Sequence, residues 1–241
     1  LTRTSWSIQY SETRTNTSQR DGSGFATPSP SPVTDNRAME LLPRLTPEAT
    51  DPSWRLAAFV DVETTGLYPY RGDEVVELAV ILFAFDSGLG EIKGIVDEYV
   101  GLREPSVPIH PDAAARHRLT LEQLRGQRLD EERVAGLLGR AGLLVAHNVP
   151  FDRPFLERLF PACRAKPWLC SMEGIDWYGK GHRSRGLGNL LRSHGIRVEG
   201  LHRARADVTA ALVLLSQPSR SGGTYFAELL RKTTGAARGP R

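Results

Sequence analysis

The amino-acid sequence predicts an α/β domain built on a mixed β-sheet with helices around it. Three apolar, β-branched runs follow one another between residues 55 and 102, which indicates an antiparallel meander. Two further short apolar runs each precede a segment with helical periodicity, as expected of β–α units. Of the 241 residues, 40% are hydrophobic, which is enough to build a full-sized core.

The meander contains the first three predicted strands, at residues 55–63, 73–85 and 92–102. The second of these is apolar on both of its faces, so we expect it to be covered on both sides. Glu77 lies within this strand and needs a partner, which could be the backbone or a nearby functional site. The glycine-containing turn at residues 86–90 leads into the third strand.

Helices and two short strands alternate in the rest of the chain. Thr120, Asp130 and Asn148 each precede a helical pattern and are expected to cap it, while Gly195 ends a short leucine-rich helix. In chain order, the predicted helices begin near residues 111, 120, 130, 148, 187, 204 and 225, and the predicted strands are residues 143–146 and 168–172.

The two ends of the chain differ from this domain in composition. Residues 1–52 are rich in Ser, Thr, Gly and Pro without sustained periodicity, so we expect a disordered tail. This tail is either a regulatory extension or the product of an upstream start site without a function. Residues 234–241 are a basic tail, which leaves residues 53–233 as the predicted domain.

Charge and cysteine content restrict the class of protein. The formal net charge is +3 and the sequence pI is about 9.0, which suits a polyanionic partner. Two cysteines are too few for a disulfide scaffold or a zinc site. No apolar run reaches membrane-spanning length, and the start of the chain lacks a signal-peptide pattern. We therefore expect a cytoplasmic protein with no membrane partner.

Two acids interrupt the first predicted strand near its end. Asp61 and Glu63 are two residues apart, so their side chains project from the same face, about 7 Å from each other. Burying two carboxylates is unfavourable unless a cation lies beside them, and oxygen ligands favour Mg²⁺ or Mn²⁺. The alternative is that each acid accepts a backbone N–H at a frayed strand end. Asp152 and Asp207 lie in the first turns of two helices and would converge with this pair if their strands are neighbours.

Three segments of the sequence resemble the exonuclease motifs of the DEDDh group. They are Asp61-Val62-Glu63-Thr64-Thr65-Gly66-Leu67, then Ala146-His147-Asn148 followed by Phe151-Asp152, and finally His202-Arg203-Ala204-Arg205-Ala206-Asp207. The group includes the epsilon proofreading subunit of the bacterial replicative polymerase, ribonuclease T and oligoribonuclease. The resemblance covers roughly residues 56–215 and implies a ribonuclease H-like fold with a five-stranded mixed sheet. It also implies removal of nucleotides from a 3′ end.

The resemblance implies a role for each matching residue. The positions are Asp61, Glu63, Asp152 and Asp207 for two divalent cations, Mg²⁺ or Mn²⁺, His202 for the general base, and Thr64, Thr65, Leu67, Asn148 and Phe151 for the terminal nucleotide. The histidine variant is indicated because four residues separate His202 from Asp207, whereas the sister group has a tyrosine with three. Many members have His-Gly-Ile-Thr where this chain has His117-Arg118-Leu119-Thr120, which weakens the expectation that this loop contacts the substrate.

A basic segment follows the last predicted strand and includes Lys180, Arg183 and Arg185. Such a segment is usually a solvated surface. With the resemblance in place, we expect these three residues to follow the phosphate backbone of a bound strand.

Three functions remain open from the sequence. The first is a 3′→5′ exonuclease acting on single-stranded DNA ends, which the runs at residues 63–67 and 202–204 favour because they look most like stand-alone epsilon-type proteins. The second is an RNA exonuclease of the oligoribonuclease or ribonuclease T type. The third is a catalytically silent nucleic-acid-binding module. A DNA polymerase subunit is a possible partner, but no sequence feature indicates it.

Overall fold

The computed structural model, which describes residues 42–46, 51–198 and 200–236, is built on a five-stranded mixed sheet. The strands are β1 (Arg55–Thr64), β2 (Val75–Asp86), β3 (Glu91–Leu102), β4 (Leu143–Ala146) and β5 (Trp168–Cys170), in the spatial order β3-β2-β1-β4-β5. The first three strands are an antiparallel meander, and β4 and β5 continue the sheet parallel to β1. The mixed sheet predicted from the sequence is confirmed.

Seven α-helices surround this sheet in the described part of the chain. They are α1 (Pro111–His117), α2 (Leu121–Leu124), α3 (Glu131–Arg140), α4 (Val149–Leu159), α5 (Leu187–Ser193), α6 (Ala204–Leu215) and α7 (Tyr225–Ala236). None of these helices is long and apolar enough to cross a membrane.

Two of the three predicted helix caps are present. Thr120 and Gln123 form a reciprocal capping box at α2, and the Asp130 side chain accepts the backbone N–H of Arg133 at 2.9 Å. The predicted cap at α4 is wrong, because the Asn148 side chain makes no capping hydrogen bond there. The Asn148 carbonyl oxygen instead accepts the N–H groups of Phe151 and Asp152.

The sheet separates two hydrophobic cores, because alternate residues of β1 and β2 face opposite sides. Phe59 and Ile81 lie in the core that is completed by α5, α6 and α7. Val60 and Leu82 lie in the core that is completed by α3 and α4. Since both faces are covered, β2 is buried along almost its whole length, as predicted.

Residues 42–46 pack against the edge of the sheet, at β3. Leu42 is only 2% exposed and belongs to the core on the α6 side. The backbone of Ile95 donates to Pro43 and accepts from Leu45, both at 2.8 Å. The prediction that the whole of residues 1–52 is a tail therefore does not hold for this segment. The rest of that prediction concerns mainly residues 1–41 and 47–50, which lie outside the described residues, as does the predicted basic tail from residue 237 onward.

Candidate active site

The carboxyl end of β1 presents Asp61 and Glu63 beyond the strand's parallel neighbour. β1 pairs with β4 only from Ala57 to Phe59, so residues 60–64 of β1 extend past the end of β4. This leaves room on that side of the strand for the first turn of α4, where Asp152 accepts the backbone N–H of Val62. Asp61 remains partly exposed, while Glu63 is only 7% exposed.

Asp207, in the first turn of α6, completes a cluster of three acids. One carboxylate oxygen from each of Asp61, Glu63 and Asp207 lies within 4.8 Å of the other two. The described residues provide no salt bridge to any of the three. The only side-chain hydrogen bond found there is from the backbone N–H of His202 to Asp207 Oδ1, at 3.2 Å. Residues 146 positions apart in the chain are therefore brought together with their negative charges facing one another.

Asp152 lies beside this cluster but outside the group of converging oxygens. It is buried in the first turn of α4, and its Oδ1 accepts the backbone N–H of Val62 at 3.2 Å. That bond fastens α4 to β1 between the two acids of the strand. The charge of Asp152 still raises the pKa of Asp61, which shows how near the two carboxylates are.

The pKa values of all four acids are raised. Burial raises the pKa of Glu63 to about 8, with a further contribution from the charge of Asp207. Burial is also the main reason why the pKa values of Asp61, Asp152 and Asp207 lie above their ordinary range. A largely buried set of oxygen ligands that repel one another has the chemistry of a Mg²⁺ or Mn²⁺ site, since a bound cation would remove the repulsion.

His202 stands at the mouth of the cluster, in a backbone conformation that few non-glycine residues adopt. Its φ is 72°, and its side chain is exposed. The next residue fixes it: the Arg203 guanidinium binds both carboxylate oxygens of Glu77, the nearest contact being 2.7 Å. The N–H of Ala204 also donates to Glu77, at 3.0 Å. Glu77 therefore has both an ionic and a backbone partner, and it anchors the loop that carries His202.

The pKa of His202 is lowered, first by burial of part of the ring and then by the positive charges of Arg116 and Arg118. The neutral imidazole is thus favoured near neutral pH. A neutral ring nitrogen can accept a proton, which is the property a general base needs.

The turn after Glu63 uses its two threonine hydroxyls internally. Thr64 Oγ1 donates to the carbonyl of Gly66 at 2.6 Å, and Thr65 Oγ1 accepts the N–H of Glu74 at 2.9 Å. A side chain at Gly66 would lie 2.5 Å from the Asp73 carboxylate, so that carboxylate, which accepts the N–H of Tyr68 at 2.7 Å, would have to shift. Leu67, at the tip, is 61% exposed and free to contact a ligand.

The two predicted pocket residues on α4 are only partly buried. Asn148 precedes the helix, and the ring of Phe151 packs against that of Phe155 with centroids 5.3 Å apart. The contacts of Asn148 and Phe151 with a nucleotide, like those of the two threonines and Leu67, remain predictions.

The basic segment at residues 180–185 is less uniform than its sequence indicates. Lys180 is only 9% exposed, and its ammonium group lies 2.8 Å from the Glu228 carboxylate on α7. This buried ion pair argues against the predicted phosphate contact of Lys180. Arg183 and Arg185 are exposed, as a contact with a strand would require, and Arg185 approaches Glu173 at 3.7 Å.

The sequence assigned no role to three residues near the site. His147 is buried between Ser171 Oγ and the carbonyl of Arg185, each 2.9 Å from a ring nitrogen, and burial lowers its pKa to about 4. The His147 side chain is therefore neutral, and it holds the backbone of the basic segment in place through the Arg185 carbonyl. At the end of α1, Arg116 adds positive charge beside the acids, and Arg116 and Arg118 both add positive charge beside His202. No motif marks them, because their proximity depends on how α1 packs.

Comparison with known proteins identifies relatives along most of the described domain. The profile of the exonuclease family RNase_T matches residues 58–215. DNA polymerase III subunit epsilon of Treponema pallidum is 28% identical over 166 residues, covering 65% of this chain and 73% of that protein. A DNA polymerase III subunit epsilon-like protein of Rhodobacter capsulatus is 34% identical over 100 residues, which are 41% of this chain and only 14% of that protein.

Solved structures share the fold. Exonuclease X in complex with 5′ overhanging duplex DNA aligns with a TM-score of 0.51 and 24% identity, covering 71% of this chain and 99% of that one. Escherichia coli exonuclease I in complex with a dA16 oligonucleotide aligns with a TM-score of 0.53 and 18% identity, covering 67% of this chain and 40% of that one. At these identities the likeness concerns the architecture.

Proposed function

Because this chain belongs to the exonuclease family RNase_T, we propose that it is a metal-dependent 3′→5′ exonuclease that releases 5′-mononucleotides from single-stranded DNA ends. The observation that carries the proposal is the convergence of Asp61, Glu63 and Asp207 within 4.8 Å, without an ion-pair partner among the described residues. A structural role for these acids would call for such a partner, as Glu77 has in Arg203.

The four acids are suited to hold two divalent cations, Mg²⁺ or Mn²⁺. Asp61, Glu63 and Asp207 offer converging oxygens, and Asp152 lies close enough to contribute from α4. When bound, such ions supply charge stabilisation at the phosphate, a more acidic water and a stabilised leaving oxygen. The protein's own contribution is to keep the acids unpaired and fixed on three rigid elements.

His202 is the proposed general base. Its neutral imidazole would accept a proton from the water whose oxygen attacks the terminal phosphorus. The bond between phosphorus and the 3′-oxygen of the penultimate nucleotide then breaks, and that oxygen takes a proton from solvent to become the new 3′-hydroxyl. The backbone N–H of His202 donates to Asp207, which ties the base to the acid cluster.

The surfaces around the cluster suit a single strand. Leu67 is exposed next to the acids and is the proposed contact of the terminal base, with Asn148 and Phe151 along the first turn of α4. Thr64 and Thr65 shape the turn beneath it. Arg183 and Arg185 are the proposed contacts of the phosphate backbone further along the strand. Exonuclease X and exonuclease I were both solved in complex with DNA, which supports the proposal of DNA as the substrate class.

Digestion of matched substrates tests the proposal. Purified protein is incubated with 5′-labelled single-stranded DNA or RNA of equal length and sequence, with Mg²⁺ or Mn²⁺ and with EDTA. We expect a descending ladder from DNA that EDTA abolishes. An Asp207→Asn variant purified in the same way controls for contaminating nucleases.

Each other outcome has a definite meaning. Activity that persists in EDTA contradicts the metal mechanism. A ladder from RNA alone contradicts the DNA preference and supports the ribonuclease alternative. Binding without any cleavage supports a catalytically silent module.

A further inference from the structure

Two arginines at the end of α1 have no partner in the described protein. Arg116 is the penultimate residue of the helix, and Arg118 caps it. Both side chains are exposed, and the described residues offer neither of them a hydrogen bond or a salt bridge. Other arginines near the site differ: Arg103 binds Glu74, and Arg203 binds Glu77.

The backbone that carries these arginines is held firmly against the active-site turn. At the start of α1, the N–H of His110 donates to the carbonyl of Thr65 at 2.7 Å. At its end, His117 is buried, and its Nδ1 accepts the N–H of Leu119 at 2.9 Å. The capping box of α2 follows at Thr120. The helix end is thus fixed on both sides to elements that do not depend on a ligand.

Arg118 occupies a backbone conformation that favours glycine. Its φ is 60°, and its N–H donates to the carbonyl of Ala114 at 2.8 Å, as in a helix that ends in a left-handed residue. Glycine adopts this conformation without strain, whereas a residue with a Cβ does not. The Arg118 side chain forms no hydrogen bond or salt bridge with the described residues, so no such interaction of this side chain compensates for the backbone strain.

The positive charges of this helix end act on the acid cluster and its base. The charge of Arg116 lowers the pKa values of Asp61, Glu63 and Asp207, opposing their burial. Arg116 and Arg118 both lower the pKa of His202. The guanidinium groups therefore lie within electrostatic reach of the place where a phosphate would be cut, although neither forms an ion pair with the acids.

Resting on the exonuclease function proposed above, we propose that Arg116 and Arg118 bind phosphate oxygens of the terminal linkages of the substrate strand. A guanidinium is a planar, permanently charged group that can donate two hydrogen bonds to one phosphate. With metal ions at the carboxylates on one side and α1 on the other, the strand end would meet positive charge from two directions. This assigns α1 a substrate contact that the acid and histidine motifs do not contain.

The test uses Arg118→Gly, Arg116→Gln and a control, Arg55→Gln. Arg55 is an exposed arginine at the other end of β1 that lacks a salt bridge among the described residues, so the control removes the same charge far from the acids. Binding of a 5′-fluorescein-labelled oligothymidylate is measured by fluorescence anisotropy in EDTA over a range of salt concentrations. Michaelis constants are measured with Mn²⁺.

We expect each α1 variant to bind the oligothymidylate about tenfold more weakly, with a rise in KM. The salt dependence of log K should flatten by about 0.7 per lost contact, and the Arg55 variant should match the wild type. Arg118→Gly should also melt at the same temperature as the wild type or higher, because glycine relieves the strain. A purely structural role of Arg118 predicts a lower melting temperature instead.

Two results would overturn the inference without touching the proposed function. One is an active wild-type enzyme whose α1 variants bind and cut the oligothymidylate as well as the control does. The other is a gain of Mn²⁺ affinity in Arg116→Gln, measured by calorimetry, with unchanged DNA binding, which would make Arg116 a partner of the acids. A third result would contradict the proposed exonuclease function but support the phosphate contact. In that result the wild-type protein binds the oligothymidylate without cutting it, and both α1 variants lose the salt-dependent binding.

Discussion

Glu63 and Glu77 face each other on neighbouring strands, yet the fold treats these two buried acids differently. They are register partners in the antiparallel pairing of β1 and β2. Glu77 accepts hydrogen bonds from the Arg203 guanidinium and from the Ala204 backbone. Glu63 has two acids, Asp61 and Asp207, within 4.8 Å. The protein supplies partners for the Glu77 carboxylate, whereas the described residues form no salt bridge with the Glu63 carboxylate.

This difference separates acids that support the fold from acids that we propose to bind a cation. A buried carboxylate with a guanidinium partner holds its neighbours in place, and removing the partner leaves an uncompensated charge. A buried carboxylate among other carboxylates has a raised pKa and opposes folding when it is ionised. Sequence position does not distinguish the two classes, because Glu63 and Glu77 both interrupt apolar strands.

The largest expected effect on activity comes from neutralising an acid that has no salt bridge among the described residues, such as Glu63 or Asp207. Glu63→Gln or Asp207→Asn should lower kcat by roughly a thousandfold, since metal-held charge stabilisation is worth several kcal/mol. In EDTA at pH 8 the same variants should melt at a higher temperature than the wild type, because a mutual repulsion is removed. Single-turnover kinetics and thermal melts measure the two effects. A lower melting temperature in both variants would show that the acids stabilise the apoprotein.

Breaking the paired class should have the opposite signature. Arg203→Met leaves the Glu77 carboxylate, which is 2% exposed, without its cation, and should cost about 3 kcal/mol of unfolding free energy in urea titrations. Adding Glu77→Leu should restore most of that stability, since an apolar pair of similar volume replaces a buried ion pair at little cost. If the double variant is no more stable than Arg203→Met, the charge of Glu77 is not what the arginine compensates.

The sequence predicted the sheet and the acids because both are marked by local patterns. Alternation and apolar runs place β1 and β2, and an acid two residues after another must share its face of a strand. The partner of Glu77 could not be found in this way, because Arg203 lies 126 residues further along the chain. The partner of Lys180 was hidden for the same reason: its charge was visible in the sequence, but the Glu228 that pairs with it comes from α7.

The same reasoning explains the error at the amino-terminal segment. Composition classed residues 42–46 with the Ser- and Pro-rich stretch before them, yet Leu42 enters the core and the backbone bonds to Ile95. A single buried leucine and two edge hydrogen bonds leave no periodic signal. The left-handed backbone of Arg118 was not predicted either, because this conformation is normally predicted from glycine, which many related sequences have at this position and this chain does not.

The next prediction concerns the amino-terminal segment, residues 42–46. Its Arg44 binds Glu98 of β3, which also binds Arg205 of α6. Deleting residues 1–41 should leave the urea midpoint unchanged if that stretch is a tail. Deleting residues 1–46 should lower the unfolding free energy by about 2 kcal/mol, because Leu42 and two backbone hydrogen bonds are lost as well. Equal stability of the two truncated proteins would mean that the edge contact is energetically negligible.

Another prediction concerns the pH dependence of stability. The pKa of Glu63 is 4.5 in the unfolded chain and about 8 in the folded one, so the folded protein binds more protons between these values. In EDTA, stability should therefore be highest below pH 4.5 with respect to this group and fall as pH rises towards 8. The slope contributed by one such proton is at most about 1.4 kcal/mol per pH unit. Glu63→Gln should flatten the decline, as should Mn²⁺ in the wild type.

The smallest expected effect distinguishes a paired cation from two exposed ones. Arg183 and Arg185 are exposed, whereas the Lys180 ammonium lies 2.8 Å from Glu228 and also contacts Ser221 Oγ at 2.9 Å. Arg183→Gln should therefore weaken binding of a long single strand a fewfold and flatten its salt dependence by about 0.7, while a dinucleotide is cut as before. Lys180→Met, compared on folded protein at low temperature, should bind the long strand like the wild type. Should Lys180→Met flatten the salt dependence as much as Arg183→Gln does, the ion pair with Glu228 must open when a strand binds. In that case, an ion pair in the free protein would not be sufficient evidence that a charged residue only stabilises the fold.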